Sequence, residues 1–348
     1  MFVALRDLRF ARGRFALMGS VITLLTLMVV LLSGLTAGLG RASTSAITGL
    51  SADHLVFSLP AGGSALSFAD SRLDAATVTA WSAVPNVTSA EPLTITMGRA
   101  EAGANSVGSA VAVFAVRPES ALAPTRIEPG AVVLSTGAAD ALRAAVGDRI
   151  SVGGRPLAVT AIAGADSYSH ANVVWVAAEG RAATVIALTT SPGVDLAAAD
   201  ARLRTTTVAT ADAVSAIGSY PAENGSLQLM RALLLVISAL VVGAFFTVWT
   251  VQRGTDIAVL KALGSSTGYL LRDALGQALV LLLAGTAIGT VVAAGLGAFA
   301  ASAVPFVLSP STVLPPAVAM VLLGLAGAAV SLRRVTAVDP LTALGSAR

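Results

Sequence analysis

The chain has 348 residues, of which 55% are hydrophobic and only 12% charged, and its mean hydropathy is +0.82. A soluble domain carries about 25% charged residues, so much of this chain is built for lipid. It has no cysteine, which excludes a disulfide framework, a thiolate nucleophile, Cys-ligated zinc and c-type haem attachment.

The single lysine, Lys261, follows no glycine loop of the G-x-x-x-x-G-K-[ST] kind, so the chain holds no ATPase site of the usual type. The net charge of +3 comes largely from arginines that flank apolar runs. That distribution is a topology signal and not a nucleic-acid footprint.

In chain order, residues 1–14 place Phe2, Leu5 and Leu8 against Arg6, Arg9 and Arg12 at helical spacing. This pattern fits an amphipathic elbow helix on the inner leaflet, and also a plain basic flank. Residues 15–39 form an apolar run longer than the roughly 7 to 15 residues of a signal-peptide core, and so an anchor. Gly34 and Gly38 within it are a small-xxx-small pair that lets two helices approach, here as dimer packing. Ordinary glycine use in an Ala/Gly-rich chain explains them as well.

Residues 40–225 alternate in the manner of a mixed α/β domain. Strands are expected at 54–60, 93–98, 109–116 and 171–177, and residues 130–164 read as strand, short helix and a hairpin turning at Gly153 and Gly154. No paired acids and no Ser/His/Asp order stand out there. His54 and His170, the two histidines, are expected at a surface or turn, not as metal ligands.

Residues 226–251, 274–301 and 313–332 each supply about the 20 apolar residues that cross a bilayer. Residues 252–273 form a charged loop between the second and third spans, and 302–312 an uncharged outer hairpin whose neighbouring prolines are expected to break the helix. Residues 333–348 are a tail.

Arg6, Arg9, Arg12 and Arg14, then Arg253, Lys261 and Arg272, then Arg333 and Arg334 all fall on one side if the chain crosses four times. By the positive-inside rule that side is cytoplasmic. The expected fold is therefore an α-helical membrane protein with four transmembrane helices and a mixed α/β extracytoplasmic domain between helices 1 and 2. Both termini are then expected on the cytoplasmic side of a multi-pass membrane protein.

The charged loop carries Arg253, Asp256, Ile257, Leu260, Lys261, Ala262 and Gly264 in the order of an R-x-x-E-I-x-x-L-[RK]-A-x-G pattern, with Asp256 in place of the glutamate. It resembles the loop of the FtsX/MacB-like permeases, the four-span subunits of type VII ABC transporters. Residues 333–345, with Pro340, Ala343 and Leu344, resemble that family's tail, and residues 131–154 its external domain.

The resemblance implies a dimer of this permease in the lipid of a bacterial cytoplasmic membrane. It pairs with two copies of a separate cytoplasmic ATPase that holds ATP and Mg, and the permease itself is not an enzyme. Arg253, Asp256, Ile257, Leu260, Lys261 and Gly264 are then the ATPase-coupling residues. Asp256 reaches less far than the usual glutamate.

The layout is similar to that of the haem-exporter permeases, the HrtB group, which implies haem as transported cargo. Other cargoes within the family are antimicrobial peptides, drugs and lipids, and another role is signalling to a cell-wall hydrolase. Glu223, just before the second span, and Arg231, inside it, are the polar groups that a membrane-dissolved porphyrin would meet. A carboxylate suits ferric iron and an arginine suits a propionate.

Glu223 is thus the candidate axial ligand of haem iron, with Tyr220 and Met230 as further haem-binding candidates and Tyr168 and Met28 as lesser ones. Glu223 also fits as an acid at a helix N-terminus, Arg231 as a cation snorkelling to headgroups, and Met28 as packing.

Overall fold

The computed structural model describes residues 12–103, 108–178, 182–252, 259, 264–301 and 304–336. In chain order its elements are α1 (Arg12–Thr48), β1 (His54–Ser58), α2 (Ala75–Ser82), β2 (Val87–Glu101), β3 (Ser109–Val116), β4 (Ala131–Leu134) and α3 (Thr136–Leu142). There follow β5 (Arg149–Val152), β6 (Arg155–Ile162), β7 (Ser167–Tyr168), β8 (Ala171–Ala177), β9 (Val185–Thr190), α4 (Leu196–Leu203) and β10 (Thr205–Ala209). The long helices α5 (Tyr220–Gln252), α6 (Thr267–Ala300) and α7 (Pro310–Thr336) complete it. The elements fall into two units, Leu39–Asn224 and the remainder.

Among the described residues four helices, α1, α5, α6 and α7, are long and apolar enough to cross a membrane. In lipid a polar group needs a partner within the protein, and several hydroxyls of these helices bond back to their own carbonyls, whereas those of Thr26, Thr286 and Thr290 are buried without one. Ser33 donates to Val29 O, Thr36 to Leu32 O, Ser238 to Leu234 O and Thr250 to Phe246 O.

Small residues set where the helices cross. A Cβ on Gly289 would lie 2.6 Å from Thr23 O, so α6 meets α1 there backbone to backbone. Gly243 and Gly327 bring α5 onto α7 in the same way, and Ser331 closes that crossing with a bond to Gly243 O at 2.9 Å. The bundle's core is Phe15, Met18 and Ile22 of α1 with Phe246 and Trp249 of α5, Leu281 and Leu282 of α6 and Ala328 of α7.

Two expectations change. The prolines of the hairpin region do not all break the helix: α7 starts at Pro310, where a missing N–H costs nothing, and runs through Pro315 and Pro316. Only one helical turn precedes those two, so the lost bonds and ring clashes fall on Ser311 and Thr312 near the free end.

Gly34 and Gly38 are filled from within the chain. A Cβ on Gly34 would enter the ring of Phe306, one on Gly38 would enter the carbonyl of Pro305, and Val307 N–H bonds to Gly34 O at 3.1 Å. Gly297 of α6 completes the socket around the Phe306 ring. The close approach that these glycines permit here is to the chain's own α6–α7 connection.

The inserted unit is a mixed sheet in the order β10-β1-β9-β2-β3-β8-β4-β6-β5, with β3–β8 and β4–β6 parallel. The far end of the long β2 also pairs with β5, Ala100 opposite Val152, so six strands close into a ring around Val111, Leu134, Ile150 and Val174. α3 covers this core with Ala138 and Leu142, and its first turn is capped by the buried Ser135 accepting from Ala138 N–H.

On the other face Phe57, Phe114 and Trp175 pack with Ala46, Ile47 and Leu50 from the end of α1 and its following turn. The expected strands and the Gly153–Gly154 turn are present. Both glycines have positive φ, as a two-residue hairpin requires.

Candidate functional site

β7 and β8 form a hairpin with a loop of only two residues, Ser169 and His170, both at positive φ (48° and 63°). A type I′ turn needs that geometry, and residues with a Cβ adopt it only when something holds them. Here the C-terminal part of α1 does so: Ser169 N–H bonds to Ser43 O at 3.0 Å and His170 N–H to Ala42 O at 3.1 Å. Ser45 adds a second tie, accepting from Ser167 N–H and donating to Ser167 O. Behind the turn, Tyr168 is buried between Phe68 and Phe114, ring centroids 5.8 and 5.7 Å away, and that burial pushes its phenol up to about 12.

The turn aims the His170 imidazole at the start of α5. Its Nε2 lies 2.8 Å from Glu223 Oε2 and 2.9 Å from Ser43 Oγ. Glu223 also accepts from the Ser219 side chain, and its backbone N–H bonds to Ser219 O. An ionised carboxylate only accepts hydrogen bonds, so the Nε2 proton is donated toward Glu223, with the Ser43 oxygen as a second neighbour.

Serine and acid address the same ring nitrogen. A nucleophilic triad needs them on opposite nitrogens, so the cluster is not a charge relay. It is a held carboxylate, with the Glu223 side chain still 43% exposed.

Among the other candidates, Tyr220 is the first residue of α5 and packs on the Phe57–Phe114 core, so it is committed to the fold. Tyr168 is buried in that core. Met230 is 57% exposed and Met28 49% exposed on their helices. Arg231 is partly buried within α5. His54, expected at a surface or turn, instead opens β1 with its Nδ1 buried.

Of the coupling residues, Gly264 occupies a turn with φ 95°, which favours glycine. Arg253, Asp256, Ile257, Leu260 and Lys261 lie outside the described residues, as do residues 1–11 of the expected elbow and the tail beyond 336. Sequence reasoning singled out Glu223 but not the histidine that contacts it. His170 is 53 positions away from it, and only the turn geometry joins them.

Residues 15–206 match the description of a MacB-like periplasmic core domain, and residues 229–340 that of an FtsX-like permease C-terminal region. The chain belongs to this family of ABC transporter permeases, multi-pass proteins of bacterial membranes.

A Staphylococcus haemolyticus protein named as a hemin transport system permease, HrtB, is 41% identical over 129 residues. The HrtB of Staphylococcus epidermidis is 33% identical over 139 residues. The chain spans 37% and 40% of the length of these two relatives, and the matched parts are the same shares of this chain. An uncharacterized ABC transporter permease of Mycobacterium bovis is 26% identical over 362 residues, 99% of each chain.

Proposed function

We propose that the chain is the membrane subunit of an ATP-driven exporter that takes haem from the outer leaflet of the cytoplasmic membrane and expels it. The observation that carries this is Glu223, a carboxylate at the start of a helix whose first half is apolar and left exposed by its own chain. Leu229 is 68%, Met230 57% and Leu233 58% exposed.

Haem is a flat apolar ring with a ferric centre and two anionic propionates. An anionic oxygen is a fitting ligand for the iron, the exposed side chains offer the ring a surface, and Arg231 in the same helix is the counter-charge for a propionate. The matched HrtB relatives support this reading by their names. Haem here is cargo, and the permease needs no resident cofactor for the task.

The machine is a homodimer with two ATPases docked on the 252–273 loops through Arg253, Asp256, Ile257, Leu260, Lys261 and Gly264. ATP and Mg sit on those partners. Both termini and these loops are cytoplasmic, and the inserted domain is outside.

The test is a haem titration of the purified permease–ATPase complex in nanodiscs, followed at the Soret band, with Glu223→Ala alongside. A saturable shift lost in the variant supports haem ligated at Glu223. No shift in the wild-type protein removes haem and returns the cargo to peptides, drugs, lipids or a signalling role.

A further inference from the structure

We propose that His170 is a positioning residue for the cargo-binding carboxylate: it fixes one oxygen of Glu223 and leaves the rest of the group free to meet iron. The inference rests on the haem reading and adds to it a residue from a different part of the chain.

A glutamate in the first turn of a helix, 43% exposed, would otherwise sweep through many rotamers. His170 restricts that freedom because its own position is held. Its backbone is pinned at φ 63° by the bond to Ala42 O, its Nε2 is met by Ser43 Oγ, and the hairpin behind it is anchored by Tyr168 in an aromatic core. Ser43 is 1% exposed, so this is a built contact and not a chance meeting of surface groups.

A carboxylate has about four acceptor sites. His170 and Ser219 take two of them, which leaves lone pairs for a metal. Outer partners of this kind orient a ligating group and tune its donor strength. The proton on Nε2 draws electron density from Glu223, so removing it makes the carboxylate both looser and more basic.

Two substitutions separate positioning from mere support of the turn. Asparagine tolerates positive φ, so His170→Asn keeps the hairpin, but its side chain is too short to reach Glu223. His170→Gln restores a donor of sufficient reach.

In the permease–ATPase complex in nanodiscs, His170→Asn is expected to weaken haem binding by about tenfold to a hundredfold and to move the ferric charge-transfer band. His170→Gln is expected to recover most of both. An unchanged affinity and band in His170→Asn, beside a Glu223→Ala variant that has lost haem, overturns the positioning role and leaves the haem reading standing. Haem binding that survives Glu223→Ala also overturns the positioning role, but keeps haem as cargo with its ligand elsewhere.

A readout without haem decides the contact itself. In a His54→Gln background His170 is the sole histidine, and its imidazole nitrogen-15 signals are expected to shift when Glu223→Gln is added. Signals indifferent to that change overturn the proposal.

Discussion

The two halves of α5 are both rich in apolar side chains but differ in how far their own chain covers them. Beyond Ser238 one face of the helix is packed: Val242 is 2%, Phe246 0% and Trp249 8% exposed, with Trp249 edge-on to both Phe15 and Phe246. Leu240 and Val248 on the other face stay more than half exposed. Before Ser238, Leu229, Leu233 and Val236 are all more than half exposed. Apolarity alone cannot separate these halves, because lipid accepts both.

What differs is side-chain shape. The packed half has Gly243 against Gly327 and a serine bond across the crossing, and such close approach is what drives helices together in a membrane. The first half has large branched side chains with Arg231 among them and no such glycine crossing.

The largest test of this contrast substitutes one large residue in each half. Phe246→Ala is expected to cost about 3–5 kcal/mol by leaving a cavity in the bundle, while Leu233→Ala stays within about 0.5 kcal/mol. Reversible unfolding in mixed micelles checks both. Equal losses would mean that the first half is packed in the working protein before any cargo arrives.

A smaller effect is expected where α1 meets the α6–α7 connection. Gly34→Ala drives a methyl into the Phe306 ring and is expected to cost about 1–3 kcal/mol. Phe306→Ala opens the socket, so the double variant should recover part of that loss. A double-mutant cycle measures the coupling, and simple additivity would mean that the ring does not occupy the glycine socket.

Much of this architecture is legible from residue order. Run length marks the membrane helices, and alternation with the Gly153–Gly154 pair marks β3, β8 and the β5–β6 hairpin. The loop pattern around Arg253 points to the permease family by residue identity and spacing alone.

Other features escape for physical reasons. α1 runs on to Thr48 through a polar stretch because its hydroxyls satisfy themselves locally, as Thr44 does on Gly40 O. The β2–β5 closure and the strands β9 and β10 rest on long-range pairing that short apolar runs do not announce. Glu223 stands out as an acid beside an apolar run. His170 does not, because a lone histidine gains meaning only from where its turn points. Gly34 and Gly38 show the converse, since their spacing is correct for close packing but does not say which partner fills it.

Helix capping gives a finer test, within the inserted domain. Ser135 is fully buried and holds the first turn of α3 over the closed ring of strands. Ser135→Ala is expected to cost about 1 kcal/mol, read as a lower midpoint for the domain's unfolding, with the bundle's own transition unmoved if the two units melt separately.

The smallest expected effect is a gain. Asp166 lies half-buried beside Gly49, just past the end of α1, and burial raises its carboxyl above the ordinary 3.8. The carbonyls at that helix end also disfavour a negative charge. A folded-state value above the unfolded one means that the native protein binds its proton more tightly, so stability falls as pH rises through 3.8 and beyond. Asp166→Asn removes the charge and keeps the shape. Its thermal midpoint should exceed the wild-type value at neutral pH, and the difference should shrink to nothing as pH drops below 3.8. A loss at neutral pH would mean that the carboxylate is ionised and bonded in the working protein, which would make the end of α1 a second held acid beside Glu223.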